Sequence, residues 1–364
     1  MVKLLLCGDV MTGRGIDQIL PHPSEPTLYE PYITSASAYV ELAERVSGPI
    51  ARPVDFPYVW GDALAEIAEQ APDMVIVNLE TSITKSESPA PKGINYRMHP
   101  ANAGCLTAAG IDCCILANNH VLDWGVEGLV ETLDTLSQAG IARAGAGRTA
   151  DEAARPAVFE LAQGGRVLVF GLGSPTSGVD AAWAATESRP GVNILAELSE
   201  RSAGRLAAEI GNYRRAGDIV VVSVHWGENW GYQIPRQQRD FAHHLIDAGA
   251  ADLVHGHSSH HVKGVEVYNG HLILFGCGDF VTDYEGIAGY EAYRPDLAVA
   301  YFASLGETGR LDRLEMVPFK SRRFRLERVS RHDAATALQI LNREGERLGT
   351  RFAAAAGGSI ELRR

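Results

Sequence analysis

The feature that most constrains the fold is a short apolar run that ends abruptly in polar side chains and precedes a helical pattern. The run covers residues 111–117 and is followed by Asn118, Asn119 and His120. Its length and apolar character favour a buried β-strand over a helix. Because side chains at the carboxyl end of such a strand face the crevice where α/β proteins bind ligands, Asn119 and His120 are predicted to lie in a functional site.

Asp123 adds a second chemical signal to this stretch. It lies three residues after His120, where its carboxylate could accept one imidazole N–H and fix the tautomer of the ring. His120 could then bind a metal or transfer a proton with its other nitrogen. The alternative interpretation is an asparagine-rich turn that caps a helix.

The overall charge and the cysteines exclude several classes of function. The chain of 364 residues has a formal net charge of −12, and no Lys/Arg cluster is dense enough to indicate nucleic-acid binding. Its five cysteines show no CxxC spacing, which favours reduced thiols over a disulfide framework or a zinc knuckle. The sequence shows no secretory signal and no apolar segment of membrane-spanning length. We therefore expect a soluble, cytoplasmic protein that binds neither nucleic acid nor a membrane.

Strand and helix patterns alternate until about residue 265, where an Asn-Gly turn predicts an antiparallel hairpin. This order predicts an α/β fold, a four-layer αββα sandwich in which two packed sheets lie between helices. A single domain over 1–364 is the simplest organisation, and two domains are the weaker alternative. The proline- and aromatic-rich segment 21–62 is predicted to be a lid or binding loop, or else a surface excursion that packs on itself. Residues 331–364 are predicted to form a C-terminal helix, over 334–352, and a loose tail.

Polar side chains follow five of the predicted strands. They are Asp9; Asn78 and Glu80; Asn119 and His120; His225; and His257 with His260. Carboxylate, carboxamide and imidazole groups together suit a divalent ion such as Mn, Zn, Fe, Mg or Ca. Because no cysteine takes part, we expect an open catalytic or substrate-binding site rather than a closed structural zinc site.

The order of these motifs resembles that of a known family. The segments that carry the resemblance are GDVMTGR (8–14), VNLETSIT (77–84), ANNHVLDWG (117–125), VHWGENW (224–230), GHSSHHVKGVEVYNGHLILFGCGDF (256–280) and VPFKSRRFRL (317–326). They resemble the CapA-type poly-γ-glutamate synthesis proteins, a family that is similar to the calcineurin-like metallophosphoesterases. The resemblance covers nearly the whole chain and implies the calcineurin-like metallophosphoesterase fold.

The resemblance also implies metal ligands, residue by residue. The implied ligands are Asp9, Glu80, Asn119, His225 and His257. Two departures bear on the number of ions. Met11 stands where the phosphoesterases have a ligand histidine, and their Gly-His-x-His motif is stretched over residues 257–260. These departures favour one divalent ion (Ca, Mn, Zn or Mg) over a two-ion site.

Several functions are compatible with such a site. A phosphoesterase would need cationic clamps for the phosphoryl oxygens, for which Arg14, Lys92 and Arg97 are the candidates. A poly-γ-glutamate synthesis factor like the family's namesake would be expected at a membrane. A third possibility is a peptide epimerase, since CapA-like proteins include the epimerases of lasso-peptide biosynthesis. A binding protein without catalytic activity is the weakest alternative.

The epimerase is the hypothesis that we favour from the sequence, with a small precursor peptide as the substrate. Inverting a Cα needs one group that removes the proton and another that returns it on the opposite face. His120, oriented by Asp123, would serve one face, and a later histidine the other. The predicted catalytic groups are His120, Asp123, His257, His260 and Asp279. The predicted contacts to the substrate are Arg14, Lys92, Arg97, Trp226 and Trp230.

Overall fold

Two β-sheets form the centre of the computed structural model, which describes residues 1–162 and 164–363. In chain order the strands are β1 (Val2–Val10), β2 (Met74–Leu79), β3 (Ser82–Ile83), β4 (Arg97–Met98), β5 (Cys113–Ile115), β6 (Ala142–Ala144), β7 (Ala146–Gly147), β8 (Ala157–Glu160), β9 (Arg166–Gly173), β10 (Gly191–Val192), β11 (Ile219–His225), β12 (Leu253–His257), β13 (Val265–Tyr268), β14 (His271–Leu274), β15 (Asp279–Val281), β16 (Leu297–Leu305), β17 (Leu311–Arg322), β18 (Arg325–Arg328), β19 (Arg351–Ala354) and β20 (Ile360–Arg363). The helices are α1 (Ser37–Ser47), α2 (Ala63–Gln70), α3 (Gly104–Thr107), α4 (Gly125–Gln138), α5 (Ala150–Ala154), α6 (Glu200–Gly211), α7 (Arg236–Asp247) and α8 (Arg331–Gly345).

Each large sheet contains a parallel core. The first sheet has the order β19-β20-β17-β16-β1-β2-β5-β6, with β15 beside β1 and β18 beside β17. In it β1, β2, β5 and β6 run parallel. The second sheet has the order β13-β14-β12-β11-β9-β8, and β9, β11, β12 and β14 run parallel. Parallel strands place their carboxyl ends at one edge of a sheet, where ligands bind in α/β folds.

The two sheets pack face to face between two layers of helices. Leu4 and Leu6 of β1 lie in the same buried cluster as Val221 of β11, so this cluster fills the space between the sheets. On the opposite face of β1, Leu5 belongs to a cluster that includes Leu129 of α4. α6 and α7 cover the outer face of the second sheet in a third cluster. The predicted four-layer αββα sandwich is therefore confirmed.

Strands covered on both faces explain the strongest sequence signals. β11 is buried at every position, and its sequence IVVVSVH is apolar except at Ser223 and His225. A strand with both faces buried has a continuous apolar sequence rather than alternating apolar and polar residues. The two polar residues of β11 therefore stand out as positions with a special environment.

Two segments differ from their sequence-based prediction. The segment 21–62 was predicted as a loop, but it contains α1, whose Tyr39 and Val40 are buried. The prolines that suggested a continuous loop lie on either side of this helix. The C-terminal helix was predicted over 334–352 but ends at Gly345, and the residues beyond it are not a loose tail. They form β19 and β20, which pair with each other and join the large sheet through β17.

The helices of the described part of the chain are short or amphipathic. Among residues 1–162 and 164–363, none of them combines the length and the apolar character needed to span a membrane.

Candidate functional site

The carboxyl ends of four parallel strands meet at one place between the two sheets. Asp9 of β1 is the register partner of Asn78 of β2, and His225 of β11 is the partner of His257 of β12. The Asn78 amide joins the two pairs, since its Nδ2 donates to Asp9 Oδ1 at 2.8 Å and lies 3.5 Å from His225 Nδ1. All four side chains are buried. Residues from distant parts of the sequence thus form one polar centre.

Asp9, His225 and His257 form a group of possible metal ligands. One ligand atom from each lies within 4.8 Å of the other two. The Nδ1 atoms of His225 and His257 are 2.8 Å apart, and His257 Nδ1 lies 4.0 Å from Asp9 Oδ1. Asp9 Oδ2 is buried and has no hydrogen-bond partner. A buried carboxylate oxygen without a partner needs a cation or a proton to compensate its lost hydration.

The hydrogen bonds behind His257 determine which of its nitrogens carries the proton. The Cys7 carbonyl can only accept, so His255 Nε2 donates to it at 3.0 Å. In neutral His255 the Nδ1 then accepts from the Ser223 hydroxyl at 3.0 Å. The Ser223 oxygen in turn accepts from His257 Nε2 at 3.0 Å. This series of hydrogen bonds leaves the lone pair of His257 Nδ1 free and directed to the centre of the site.

The tautomer of His225 is fixed in the same way. Its Nε2 lies 3.0 Å from Asn119 Oδ1, an acceptor, so this nitrogen carries the proton and Nδ1 keeps its lone pair. The lone pairs of His225 and His257 therefore face each other. Burial lowers the pKa of both imidazoles well below the usual value, which disfavours a proton between them. A divalent cation fits this donor set. Asn119, predicted as a metal ligand, contacts His225 here, and its direct ligation stays a prediction.

Two further carboxylates, those of Glu80 and Asp279, lie near the metal-ligand group. Glu80 Oε2 accepts from Asn78 Nδ2 at 3.2 Å, and Glu80 Oε1 lies 3.9 Å from His225 Nε2. Burial, reinforced by the charge of Asp279, raises the pKa of Asp9 to about 7. Burial, reinforced by the charge of Asp9, raises the pKa of Glu80 well above its usual value. Carboxylates that crowd together in this way are stabilised by a shared cation.

A second group of possible ligands shares Asp9 with the first. It consists of Asp9, His260 and Asp279, again with ligand atoms within 4.8 Å of one another. Asp279 Oδ2 is buried without a hydrogen-bond partner, but its Oδ1 lies 2.9 Å from His260 Nδ1. His260 and Asp279 thus partly satisfy each other, unlike the pair of facing imidazoles. The prediction of one ion rather than two stays a prediction.

Two histidine–carboxylate pairs lie beside the metal-ligand group. His120 Nδ1 is 2.6 Å from Asp123 Oδ2, and His260 pairs with Asp279 as described. Burial lowers the pKa of His120 to about 4, although Asp123 opposes the shift. Burial also acts to lower the pKa of His260, but the charge of Asp279, its hydrogen bond to the ring and the charge of Asp9 together outweigh burial, and the net shift is upward. The site therefore offers one neutral imidazole and one that is readily protonated, the pattern expected of a base and an acid.

A cavity of about 480 Å³ opens onto these groups. Its walls include Arg14, Lys92, Tyr96, His120, Trp230 and His260. Much of the wall is aromatic, since Tyr290 stacks on Trp230 at a centroid distance of 3.9 Å and Tyr96 contacts the His120 ring edge-on at 4.2 Å. Tyr284 and Tyr290 were not predicted, because isolated tyrosines outside a motif carry no sequence signal.

The two cations of this cavity are already paired. Arg14 donates to both carboxylate oxygens of Asp283, at 2.8 and 2.7 Å, and to Glu30 at 2.8 Å. Lys92 Nζ donates to Asp123 at 2.7 Å and also to the carbonyl of Asn119. The predicted residues Arg14 and Lys92 thus line the cavity, and carboxylates of the protein already compensate the charge of both.

Two residues predicted to contact the substrate lie elsewhere, and both predictions are corrected. The Arg97 guanidinium donates to two backbone carbonyls and lies 3.9 Å over the Trp124 ring, away from the cavity. Trp226 is only 2% exposed and donates to the Phe275 carbonyl at 3.0 Å within the core. It follows His225, whose side chain faces the other sheet, so strand alternation directs Trp226 toward the helices.

Ser223 and His255 are functional candidates that the sequence reasoning missed. They are register partners on β11 and β12, two residues before His225 and His257. Side chains two residues apart in a strand lie on the same face. The signal that could have identified them was therefore the pair of patterns Ser-x-His and His-x-His at the ends of two apolar strands.

Comparisons with known proteins identify the family of this chain. The family model described as "Bacterial capsule synthesis protein PGA_cap" matches residues 3–284. A probable polyglutamine synthesis accessory protein of Mycobacterium tuberculosis H37Rv is 45% identical over 365 residues, covering 100% of this chain and 96% of that protein. The PGA biosynthesis protein CapA of Bacillus subtilis is 27% identical over 84% of this chain and 68% of its own.

Among solved structures, the crystal structure of a novel phosphatase from Mycoplasma pneumoniae shares 12% identity with a TM-score of 0.46, covering 88% of this chain and 93% of that one. The family resemblance seen in the motifs is confirmed by the family match and by the relatives in M. tuberculosis and B. subtilis. This chain belongs to the PGA_cap family of bacterial capsule synthesis proteins.

Proposed function

We propose that this protein is a metal-dependent enzyme that hydrolyses bonds in a glutamine- or glutamate-based peptide chain, as an accessory enzyme in the synthesis of such a polymer. The names of the relatives, a polyglutamine synthesis accessory protein and a PGA biosynthesis protein, support the choice of polymer. The observation that carries the chemistry is the pair of facing imidazole lone pairs next to the unpartnered Asp9 oxygen.

The residues divide into those that would hold the ion and those that would move protons. Asp9, His225 and His257 would hold a divalent ion, and two imidazoles with a carboxylate suit Zn or Mn better than Ca or Mg. When bound, the ion supplies a Lewis acid beside the scissile carbonyl. His120, neutral and oriented by Asp123, would accept a proton from the attacking water. His260, the more basic imidazole, would return a proton to the leaving nitrogen.

The cavity supports a peptide over a phosphate ester. A phosphate ester would need unpaired cations, and both Arg14 and Lys92 are held by carboxylates. The aromatic wall formed by Trp230 and Tyr290 offers apolar area and polar edges instead. Such walls suit the alternating amide and methylene groups of a peptide chain.

The test is a direct assay of the metal-loaded protein. Short poly-γ-glutamate and polyglutamine oligomers and p-nitrophenyl phosphate would each be incubated with it, and the products followed by mass spectrometry. We expect shortened oligomers, loss of the reaction after chelation, and recovery when a divalent ion is added back. Release of phosphate alone, or cleavage that ignores the chelator, would overturn the proposal.

Epimerisation of a peptide residue is the second candidate. It is favoured by one observation, namely that His120 and His260 line the same cavity while different carboxylates hold them and their pKa values shift in opposite directions. Inversion of a Cα needs such a base and acid. The substrate would then be a precursor peptide. Incubation in deuterated water should place deuterium at one Cα if this reaction occurs, and hydrolysis without Cα exchange would exclude it.

We also propose a cytoplasmic location. Cys7, Cys105, Cys113, Cys114 and Cys277 are all free and buried. Reduced thiols are typical of cytosolic proteins. Alkylation of the cysteines in freshly lysed cells, under denaturing conditions, should label all five.

A further inference from the structure

A second cavity, of about 670 Å³, shares Trp230 with the first. Its walls include Glu228, Gln233, Pro235, Gln238 and Lys263. It contains none of the residues assigned above to the metal-ligand group or to the acid–base pairs. Trp230 therefore borders both cavities, and its neighbours Asn229 and Gly231 line the first and the second cavity, respectively.

Lys263 is the unusual residue of this second cavity. It is only 4% exposed, and its Nζ donates a hydrogen bond to the Gln233 carbonyl at 3.1 Å. Within residues 1–162 and 164–363, no carboxylate lies close enough to form an ion pair with it. Burial lowers the pKa of Lys263, and the charges of Glu228 and Glu344 oppose that shift. An ammonium group can donate three hydrogen bonds, so a ligand could use donors that the protein leaves free.

The first turn of α7 supplies a second feature that favours an anion. Pro235, Gln237 and Gln238 all line the cavity, and no side chain caps this helix at Pro235. The amino-terminal end of a helix carries free N–H groups and a partial positive charge. Lys263 and the start of α7 therefore form a site for one negative charge.

Gln238 indicates that the ligand also carries a hydrogen-bond donor. The residue is 1% exposed, and its Oε1 is buried without a partner. This oxygen can only accept, so an N–H is the complementary group. Glu228, an exposed residue of the same cavity, would repel a multiply charged anion such as phosphate. A single carboxylate close to an amide N–H satisfies all of these groups.

We propose that the second cavity binds a carboxylate-bearing segment of a peptide, with Lys263 and the start of α7 holding the carboxylate and Gln238 accepting from an amide N–H. The proposal rests on the proposed function for the identity of the ligand, since such a segment would continue across Trp230 from the chain bound in the first cavity. It gives the enzyme a means to select glutamate-type side chains at a distance from the bond that reacts.

The test measures binding to metal-free, full-length protein by isothermal titration calorimetry. The probes are N-acetyl-L-glutamate N-methylamide, which carries one carboxylate, and its neutral counterpart, N-acetyl-L-glutamine N-methylamide. We expect the wild type to bind the carboxylate probe at least tenfold more tightly than the neutral one. Lys263→Met should weaken binding of the carboxylate probe at least tenfold, and Lys85→Met, the same change at an exposed lysine, should leave it unchanged.

Glu228→Gln provides a variant whose folding is not in question, because Glu228 is exposed. Removing its negative charge should tighten binding of the carboxylate probe severalfold. Unchanged affinity in both Lys263→Met and Glu228→Gln would overturn the proposal. So would equal affinity for the two probes.

Asp9→Asn separates this proposal from the proposed function. The variant removes a metal ligand outside the second cavity, so it should bind the carboxylate probe as the wild type does. If the wild-type protein binds the carboxylate probe selectively but, when loaded with metal, hydrolyses none of the oligomers, the proposed function alone is refuted. Loss of binding in Asp9→Asn would refute the proposal that the second cavity binds the probe independently of the metal-ligand group.

Discussion

His257 and His260 are three residues apart in the chain, but the structure gives them opposite environments. His257 is hydrogen-bonded through Nε2 to the Ser223 hydroxyl and presents a bare Nδ1 to His225 and Asp9. His260 is bonded through Nδ1 to the Asp279 carboxylate at the wall of the cavity. The pKa of the first lies well below the usual value and that of the second above it.

This contrast shows that the hydrogen-bond partner decides what a buried histidine can do. A neutral donor or acceptor behind the ring fixes its tautomer and leaves a lone pair for a cation. A carboxylate next to the ring favours the protonated form. At His260 the net pKa shift is upward, whereas at His120 burial outweighs Asp123 and the ring stays neutral. The metal-ligand group and the acid–base pairs use the same residue types for these two purposes, so substitutions in the two groups should have different effects.

The largest effect is expected from Asp9→Asn in the metal-ligand group. Asn has nearly the same shape but no charge, so the facing lone pairs of His225 and His257 lose the anionic ligand beside them. Metal affinity should fall by more than the ~10–100-fold that follows the loss of an outer-shell partner, and hydrolytic activity should fall with it. Metal content after dialysis, measured by mass spectrometry, checks this. Asp180→Asn, at an exposed aspartate, should retain the metal of the wild type.

His120→Gln tests the acid–base pairs. His120 lies in an acid–base pair, so its loss should reduce turnover by ~10²–10⁴-fold, the usual contribution of general acid–base catalysis. The metal content should not change. Steady-state kinetics and metal analysis of the same sample separate the two effects, and His332→Gln at an exposed histidine is the control. If the His120→Gln variant loses its metal, His120 is a metal ligand and not a member of an acid–base pair.

Ser223→Ala tests whether the Ser223 hydroxyl fixes the tautomer of His257. Without the hydroxyl, nothing holds the proton on His257 Nε2, and part of the population would carry it on Nδ1. We expect metal affinity to fall by ~10–100-fold, as for other outer-shell partners, and excess metal to restore turnover. Ser304→Ala, at a buried serine of β16, should bind metal normally. Unchanged affinity in Ser223→Ala would show that the hydrogen-bond chain does not control the ligand.

The smallest functional effect is expected at Arg97, which lies outside both groups. Arg97→Gln should leave KM and kcat within twofold of the wild type, because the guanidinium does not reach the cavity. The free energy of unfolding should decrease by about 1–3 kcal/mol, since charged hydrogen bonds to two carbonyls are lost. Urea denaturation measures this change. A large rise in KM with unchanged stability would restore Arg97 as a substrate contact.

The sequence predicted the metal-ligand group better than the cavity for a physical reason. Asp9, His225 and His257 interrupt apolar strands that are buried on both faces, and a polar residue in such a strand is conspicuous. Parallel pairing then brings strand ends together with no further information. The same rule of alternation could have identified Ser223 and excluded Trp226.

The cavity and the loops depend on contacts that leave no local pattern. Tyr284 and Tyr290 reach the wall through irregular segments, and the ion pairs that occupy Arg14 link residues as far apart as 14 and 283. Charge and aromatic character alone made Arg97 and Trp226 resemble substrate contacts. α1 was missed because prolines flank it. The strands β19 and β20 were missed because a run of alanines and glycines, 353–358, ends the first and separates it from the second, and these residues rarely indicate a strand.

Anomalous diffraction can show whether Asp9, His225 and His257 hold a divalent ion, as we propose. Crystals of protein purified without chelators would be measured on both sides of the absorption edge of the metal found by elemental analysis. We expect an anomalous peak in contact with Asp9 and with the Nδ1 atoms of both histidines, and no such peak in crystals of Asp9→Asn. A metal-containing protein whose anomalous peak lies away from these three residues would contradict it.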